Sequence, residues 1–195
     1  LRQTRKEKRD TLHNAKNADA YIKLDLPNLQ HVEAHIIKEM ETPEVWNNYF
    51  KFSIARNPWD RAISDFYWNL RNNPALKPKK RFYHHLGVPF DEINHLRNLF
   101  SEFIKNTKLL SNDPFYVIDN ELCVDSVIRY ENLIEDFHNI CKKLGLPKID
   151  LPRLKGGIRA GGYHYSEYYD EETREIIAEQ HKNDIRLFGY KFENL

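Results

Sequence analysis

The chain has 195 residues, a net charge of +1 and a hydrophobic fraction of 41%. That length suits one domain with a substantial core, and near-neutral charge argues against a nucleic acid or other polyanion held by bulk charge. No apolar run approaches the roughly 18 residues that span a bilayer, and no signal peptide is visible. Cys123 and Cys141 are the only cysteines, too few for a disulfide framework, and no Cys/His cluster has zinc spacing. With no Asn-x-Ser/Thr sequon either, these signs favour a reducing cytoplasm, or the Golgi lumen if a membrane anchor precedes the chain.

Residues Leu1 to Lys16 are polar and basic and read as a solvated helix face or a frayed start. Tyr21 to Leu26 alternates like a short strand closed by Pro27-Asn28, and a helix is expected from about Val32 to Glu41. His31 stands at the mouth of that helix, where it caps or orders the turn. Tyr49 to Ala55 then reads as a buried strand. Asn57-Pro58 stops it, because Asn caps helices and Pro suits the first turn, so a helix should run to about Leu70.

The junction Arg56-Asn57-Pro58-Trp59-Asp60-Arg61 is a place to hold an anion. A helix start offers backbone N–H groups and a favourable dipole, and Arg56 supplies a planar fork for phosphate. Ser64 lies about two turns into the helix and can add a hydroxyl. The plainer alternative is a strand–helix turn with a surface Arg and an Asp60–Arg61 pair.

Asn72 to Lys80 reads as a basic loop that either is solvated or helps hold an anion. His84-His85 are loop polar residues. Asp91 to Lys108 carries Ile93, Leu96, Phe100, Phe103 and Ile104 at helical spacing, a core stripe. Phe115–Ile118 and Val124–Arg129 are expected as paired or successive strands about Asp119-Asn120-Glu121. The next helix buries Leu133, Phe137, Ile140, Cys141 and Leu144 and stops at Gly145-Leu146-Pro147. Cys141 therefore reads as a small buried residue, and Glu131 either caps this helix or orders a bound ligand.

Leu151 to Tyr165 is dense in glycine. It is either a surface loop or one whose N–H groups approach a ligand, with Lys155 or Arg159 beside it. A last helix should bury Ile176, Ile177, Ile185 and Phe188.

Arg56-Asn57-Pro58-Trp59-Asp60-Arg61 with Ser64, Arg129-Tyr130-Glu131-Asn132-Leu133, and Tyr165 to Arg174 together resemble PAPS-dependent sulfotransferases. The likeness is greatest to the branch with carbohydrate, bacterial and viral members, and it runs from about His31 to the C-terminus. It implies a three-layer α/β fold with a mostly parallel sheet, related to P-loop nucleotide enzymes. It also implies that Arg56 and Ser64 grip the 3′-phosphate of the donor, that Lys155 or Arg159 covers it, and that His31 is the base. The acceptor hydroxyl would attack sulfur, and adenosine 3′,5′-bisphosphate would leave without a metal. A sugar is the first expectation for the acceptor, ahead of tyrosine or a small alcohol.

The family's phosphosulfate loop needs glycines, and none precedes Gly87. The first strand and loop are therefore expected upstream of Leu1. The alternative is a non-catalytic 3′-phosphoadenosine-binding or assembly domain without the transfer loop. A P-loop kinase or nucleotidase is the remaining rival, and no Walker-type motif supports it.

Overall fold

The computed structural model describes residues 32–73, 91–152, 159 and 162–194. The expected strand at Tyr21–Leu26, His31 and Lys155 lie outside them. The chain divides into two compact units, 1–53 with 113–127 and 54–112 with 128–195.

In the first unit, α1 (Ala34–Met40) and α2 (Pro43–Asn48) follow one another. The sequence reading missed α2, whose six residues are too few to show periodicity. Its start signal is nevertheless present: Thr42 Oγ1 accepts from Val45 N at 3.2 Å, and Pro43 takes the first turn. The short strands β2 (Val117–Ile118) and β3 (Glu121–Leu122) form an antiparallel hairpin. Asp119 and Asn120 both have positive φ, 53° and 66°, as a two-residue turn that matches strand twist requires. Of the two readings, paired or successive, the successive one holds: the tight turn closes the hairpin on the very next residues, Glu121–Leu122, and Val124–Arg129 supplies a separate strand at Ser126–Arg129.

Strand β1 (Phe52–Ala55) is shorter than expected, since Tyr49 caps α2. It pairs with β4 (Ser126–Arg129). Lys51 O accepts from Asp125 N at 2.8 Å, and Asn57 N donates to the Glu131 side chain. The same offset of 74 residues at both ends means that the strands run parallel. The expected burial of β1 is corrected: Ala55 is buried, but Phe52 and Ile54 are exposed. Their side chains share the opposite face of the pleat from Ser53 and Ala55.

The second unit is built on α3 (Pro58–Asn72), which buries Trp59, Ala62, Ile63, Phe66, Tyr67 and Leu70 at spacings of three and four. It packs with α4 (Glu92–Asn106), a 3₁₀ turn at Tyr165–Tyr168 and α6 (Glu171–Gln180); the intervening α5 spans Leu133–Lys143. Leu96, Phe100 and Ile104 form the buried stripe of α4, with Ile93 and Phe103 half-buried beside it. Phe66 and Phe100 meet edge to face at 5.5 Å, and Phe100 meets Tyr169 at 4.7 Å. Each fully buried Phe or Ile here contributes about 1.5–3 kcal/mol.

Helix α5 buries Ile140 and Cys141, while Leu144 of the expected face is exposed. The helix ends as the sequence indicated. Gly145 has φ +67°, Leu146 N donates to Cys141 O at 2.8 Å, and Gly145 N donates to Lys142 O at 3.2 Å. The expected last helix is two. After α6, α7 (Lys182–Phe188) starts beyond the buried His181, and only Ile177 of the four expected apolar residues is fully buried.

Candidate anion-binding site

The site sits where β1 becomes α3. Asn57 caps the helix: its Oδ1 accepts from Trp59 N at 3.0 Å and Asp60 N at 3.4 Å, and its Nδ2 donates to Lys191 O at 3.2 Å. Asn57 N itself donates to Glu131 Oε1 at 2.6 Å. Pro58 has no N–H to give. The expectation of free N–H groups at this turn is therefore corrected, because the cap and Glu131 already use them. Glu131 does not cap its own helix, whose Asn132 cap makes no side-chain bond. It secures this first junction instead.

What remains for an anion is guanidinium. Arg56 Nε and Nη2 both donate to Asp60 Oδ2, at 2.8 and 2.6 Å. Arg159 Nη1 donates to Asp60 Oδ1 at 2.8 Å, and its Nη2 donates to Tyr163 O at 3.0 Å. One carboxylate thus gathers two arginines from segments 99 residues apart, Asp60 and Arg159 being the distant pair. The side chains are 20%, 22% and 31% exposed for Arg56, Asp60 and Arg159, so the cluster is sheltered yet reachable. Two cations and one anion leave it net positive.

Aromatic rings flank both forks. Arg56 lies 4.3 Å from the Tyr130 ring centroid and Arg159 6.0 Å from that of Tyr168. Beneath Arg159, the Tyr168 and Tyr67 hydroxyls meet at 2.7 Å. Burial, then the Tyr67 hydroxyl, pushes Tyr168 well above the ordinary phenol range. It stays neutral and serves as a wall.

The structure brings Arg56 and Arg159 together, and places the half-buried Ser64 four residues beyond Asp60 on the same face of α3. The Asp60–Arg61 pair is not found. Arg61 turns to Asp65 at 3.6 Å and donates to Leu110 O at 2.9 Å. Asp60 is the residue that sequence reasoning missed as an organiser. Its signal was partial: Asp60 stands in the first turn of the helix that Arg56 leads into, but Arg56 precedes the Asn57 cap, so helical spacing alone does not pair them. Among the described residues, no group of His, Cys, Asp and Glu is placed to hold a metal, and no helix is long and apolar enough to cross a membrane.

A family model described as the sulfotransferase family matches residues 2–191. Carbohydrate sulfotransferase 10 of Homo sapiens is 27% identical over 188 residues, covering 82% of this chain and 50% of that protein. The Gallus gallus protein of the same name is 26% identical over 174 residues, covering 74% and 48%. An uncharacterized protein of Archaeoglobus fulgidus is 28% identical over 115 residues, covering 59% and 83%. The chain spans about half the length of the carbohydrate sulfotransferases it matches, and no solved structure matches it. With the helix-rich α/β architecture and parallel strand pair described above, the match across residues 2–191 establishes that the chain belongs to the sulfotransferase family.

Proposed function

We propose that the chain transfers a sulfuryl group from PAPS to an acceptor hydroxyl, with a carbohydrate as the acceptor. The observation that carries this reading is the convergence of Arg56 and Arg159 on Asp60, inside the region matched by the family. A 3′-phosphate is a dianion with several acceptor oxygens, and two adjacent guanidinium groups suit it better than isolated ammonium groups. In this reading Arg56, Ser64 and Arg159 bind the 3′-phosphate, and Lys155 adds charge to it. The three-layer, P-loop-like arrangement of the full sheet belongs to the same proposal.

In the reaction the acceptor oxygen forms a bond to sulfur as the bond from sulfur to the 5′-phosphate oxygen breaks. The acceptor proton passes to His31, and adenosine 3′,5′-bisphosphate departs with the electron pair. Such a transfer depends on in-line position and charge stabilisation more than on covalent help. The carbohydrate acceptor is suggested by the names of the relatives.

The test is calorimetric binding of adenosine 3′,5′-bisphosphate against ADP, with Arg56→Ala alongside. Preference for the bisphosphate is expected, with a loss on the order of 2–5 kcal/mol in the variant. Equal binding of the two nucleotides overturns the reading. Bisphosphate preference without sulfate transfer in an acceptor screen would instead favour a binding or assembly role.

A further inference from the structure

We infer that Asp60 is a positioning residue, which presets the Arg56 and Arg159 guanidinium groups for a single phosphate. This inference rests on the sulfotransferase reading above. A guanidinium has five N–H donors. Arg56 gives Asp60 its Nε and one Nη2 donor, the side edge of the fork. Among the described residues no hydrogen bond uses the two Nη1 hydrogens or the second Nη2 hydrogen, so its end-on face is still able to take a phosphate in bidentate fashion.

Arg159 gives one Nη1 donor to Asp60 and one Nη2 donor to Tyr163 O. Its Nε is buried and has no hydrogen-bond partner among the described residues. A buried charged donor without a partner is costly, and a ligand acceptor would relieve that cost. Asp60 therefore spends neither arginine fully.

Electrostatics gives the second reason. Two guanidinium groups in close proximity repel, and without an anion between them they would separate in the free protein. Asp60 binds one through Oδ2 and the other through Oδ1, which offsets that repulsion before any nucleotide arrives. It also lies in the first turn of α3, where a carboxylate is favoured by the helix dipole. Preset donors lose less freedom on binding, so affinity rises without a direct contact from Asp60 to the ligand.

The test is Asp60→Asn, measured by calorimetry with adenosine 3′,5′-bisphosphate and ADP, alone and combined with Arg159→Ala. The variant keeps the size of Asp60 but replaces one accepting oxygen with a donor. The expected result is a roughly tenfold loss of bisphosphate affinity with ADP binding little changed, and a much smaller further loss when Arg159 is already absent. Three results overturn the inference: tighter bisphosphate binding, which makes Asp60 a competitor; equal losses for both nucleotides, which makes it merely structural; or additive losses with Arg159→Ala. Should Asp60→Asn not fold, Asp60→Glu replaces it, because it keeps the charge and displaces the oxygens. Reduced preference for the bisphosphate then supports positioning, and wild-type preference overturns it. A wild-type protein that does not distinguish the two nucleotides defeats the functional reading itself, and that failure shows before any variant is compared.

Discussion

The backbone N–H of Asn57 donates to Glu131 Oε1 at 2.6 Å, so the carboxylate after one strand secures the turn after its neighbour. Tyr190 adds its hydroxyl to the other oxygen of Glu131 at 3.5 Å. Glu131→Ala should leave the Asn57 N–H without its acceptor, at a cost of about 1.5–3 kcal/mol. Glu131→Gln keeps an acceptor and should lose less. Urea unfolding of the two variants checks this, and equal stability of both with the wild type would refute it.

On the proposed function, Arg56 and Ser64 should differ in weight. Arg56→Lys keeps the charge but has no planar fork, so most bisphosphate affinity should disappear despite the conserved charge. Ser64→Ala removes one neutral hydroxyl and should cost about 0.5–1.5 kcal/mol. Calorimetry on both variants ranks them, and a larger loss for Ser64→Ala would displace Arg56 from the centre of the site.

Acid should loosen α6 through Asp170. Its carboxylate accepts from Thr173 N at 2.7 Å and from Thr173 Oγ1, and these bonds hold it below the usual carboxylate range. A depressed folded-state value means that the stabilisation is present above the unfolded value, near 3.8, and is lost as pH falls through the folded one. Asp170→Ala should cost about 0.5–2 kcal/mol near neutral pH and show a shallower decline with acid. Denaturation midpoints measured from neutrality downward decide this, with parallel curves for the two proteins counting against it.

Alkali should act through tyrosine. Burial is the first cause that raises Tyr67, Tyr165, Tyr168, Tyr169 and Tyr190 above the ordinary phenol value. A raised folded value stabilises below the unfolded value, about 10, and the benefit is lost as pH rises beyond it. Stability should fall steeply above roughly pH 10, and phenolate absorbance should appear together with unfolding. Absorbance and circular dichroism recorded on one sample test this; full tyrosine ionisation in a still-folded chain would contradict it.

Gly145 offers a test of backbone alone. A Cβ there would meet nothing within 4 Å, yet its φ of +67° disfavours any L side chain. Gly145→Ala should therefore destabilise by about 1–2 kcal/mol with no steric component. Gly145→Asn should recover part of this, since Asn tolerates the left-handed region. Thermal unfolding of the pair separates the two costs.

Features with local causes were legible in the sequence. Asn57-Pro58 announced α3, Gly145 announced the end of α5, and the spacing of Leu96, Phe100 and Ile104 announced the core face of α4. Features that depend on pairing across the chain were not. Nothing near Arg159 indicates Asp60, and nothing near Glu131 indicates Asn57. The exposure of Phe52 and Ile54 also escaped, because a strand's composition states which residues are apolar but not which face a neighbour covers. The short strand Glu121–Leu122 that completes the hairpin was not read, because two-residue strands leave no pattern to count, whereas the later strand was read and stands at Ser126–Arg129.

The side-chain amide of Asn57 ends its search for a partner at Lys191 O, 134 residues later. During synthesis, α3 can therefore coil as soon as it emerges, with Arg56 and Asp60 already within one turn of each other. The local cap forms with it, but the bond that anchors Asn57 to Lys191 O waits until residue 191 has been made, and Arg159 arrives late as well. Contacts of such sequence separation form slowly, after the loop-closure entropy has been met. On the proposed function, nascent chains that end before Arg159 should bind the bisphosphate poorly, and chains that end between residues 159 and 191 should bind it less well than the 195-residue chain, so the onset of bisphosphate protection would time the late contacts.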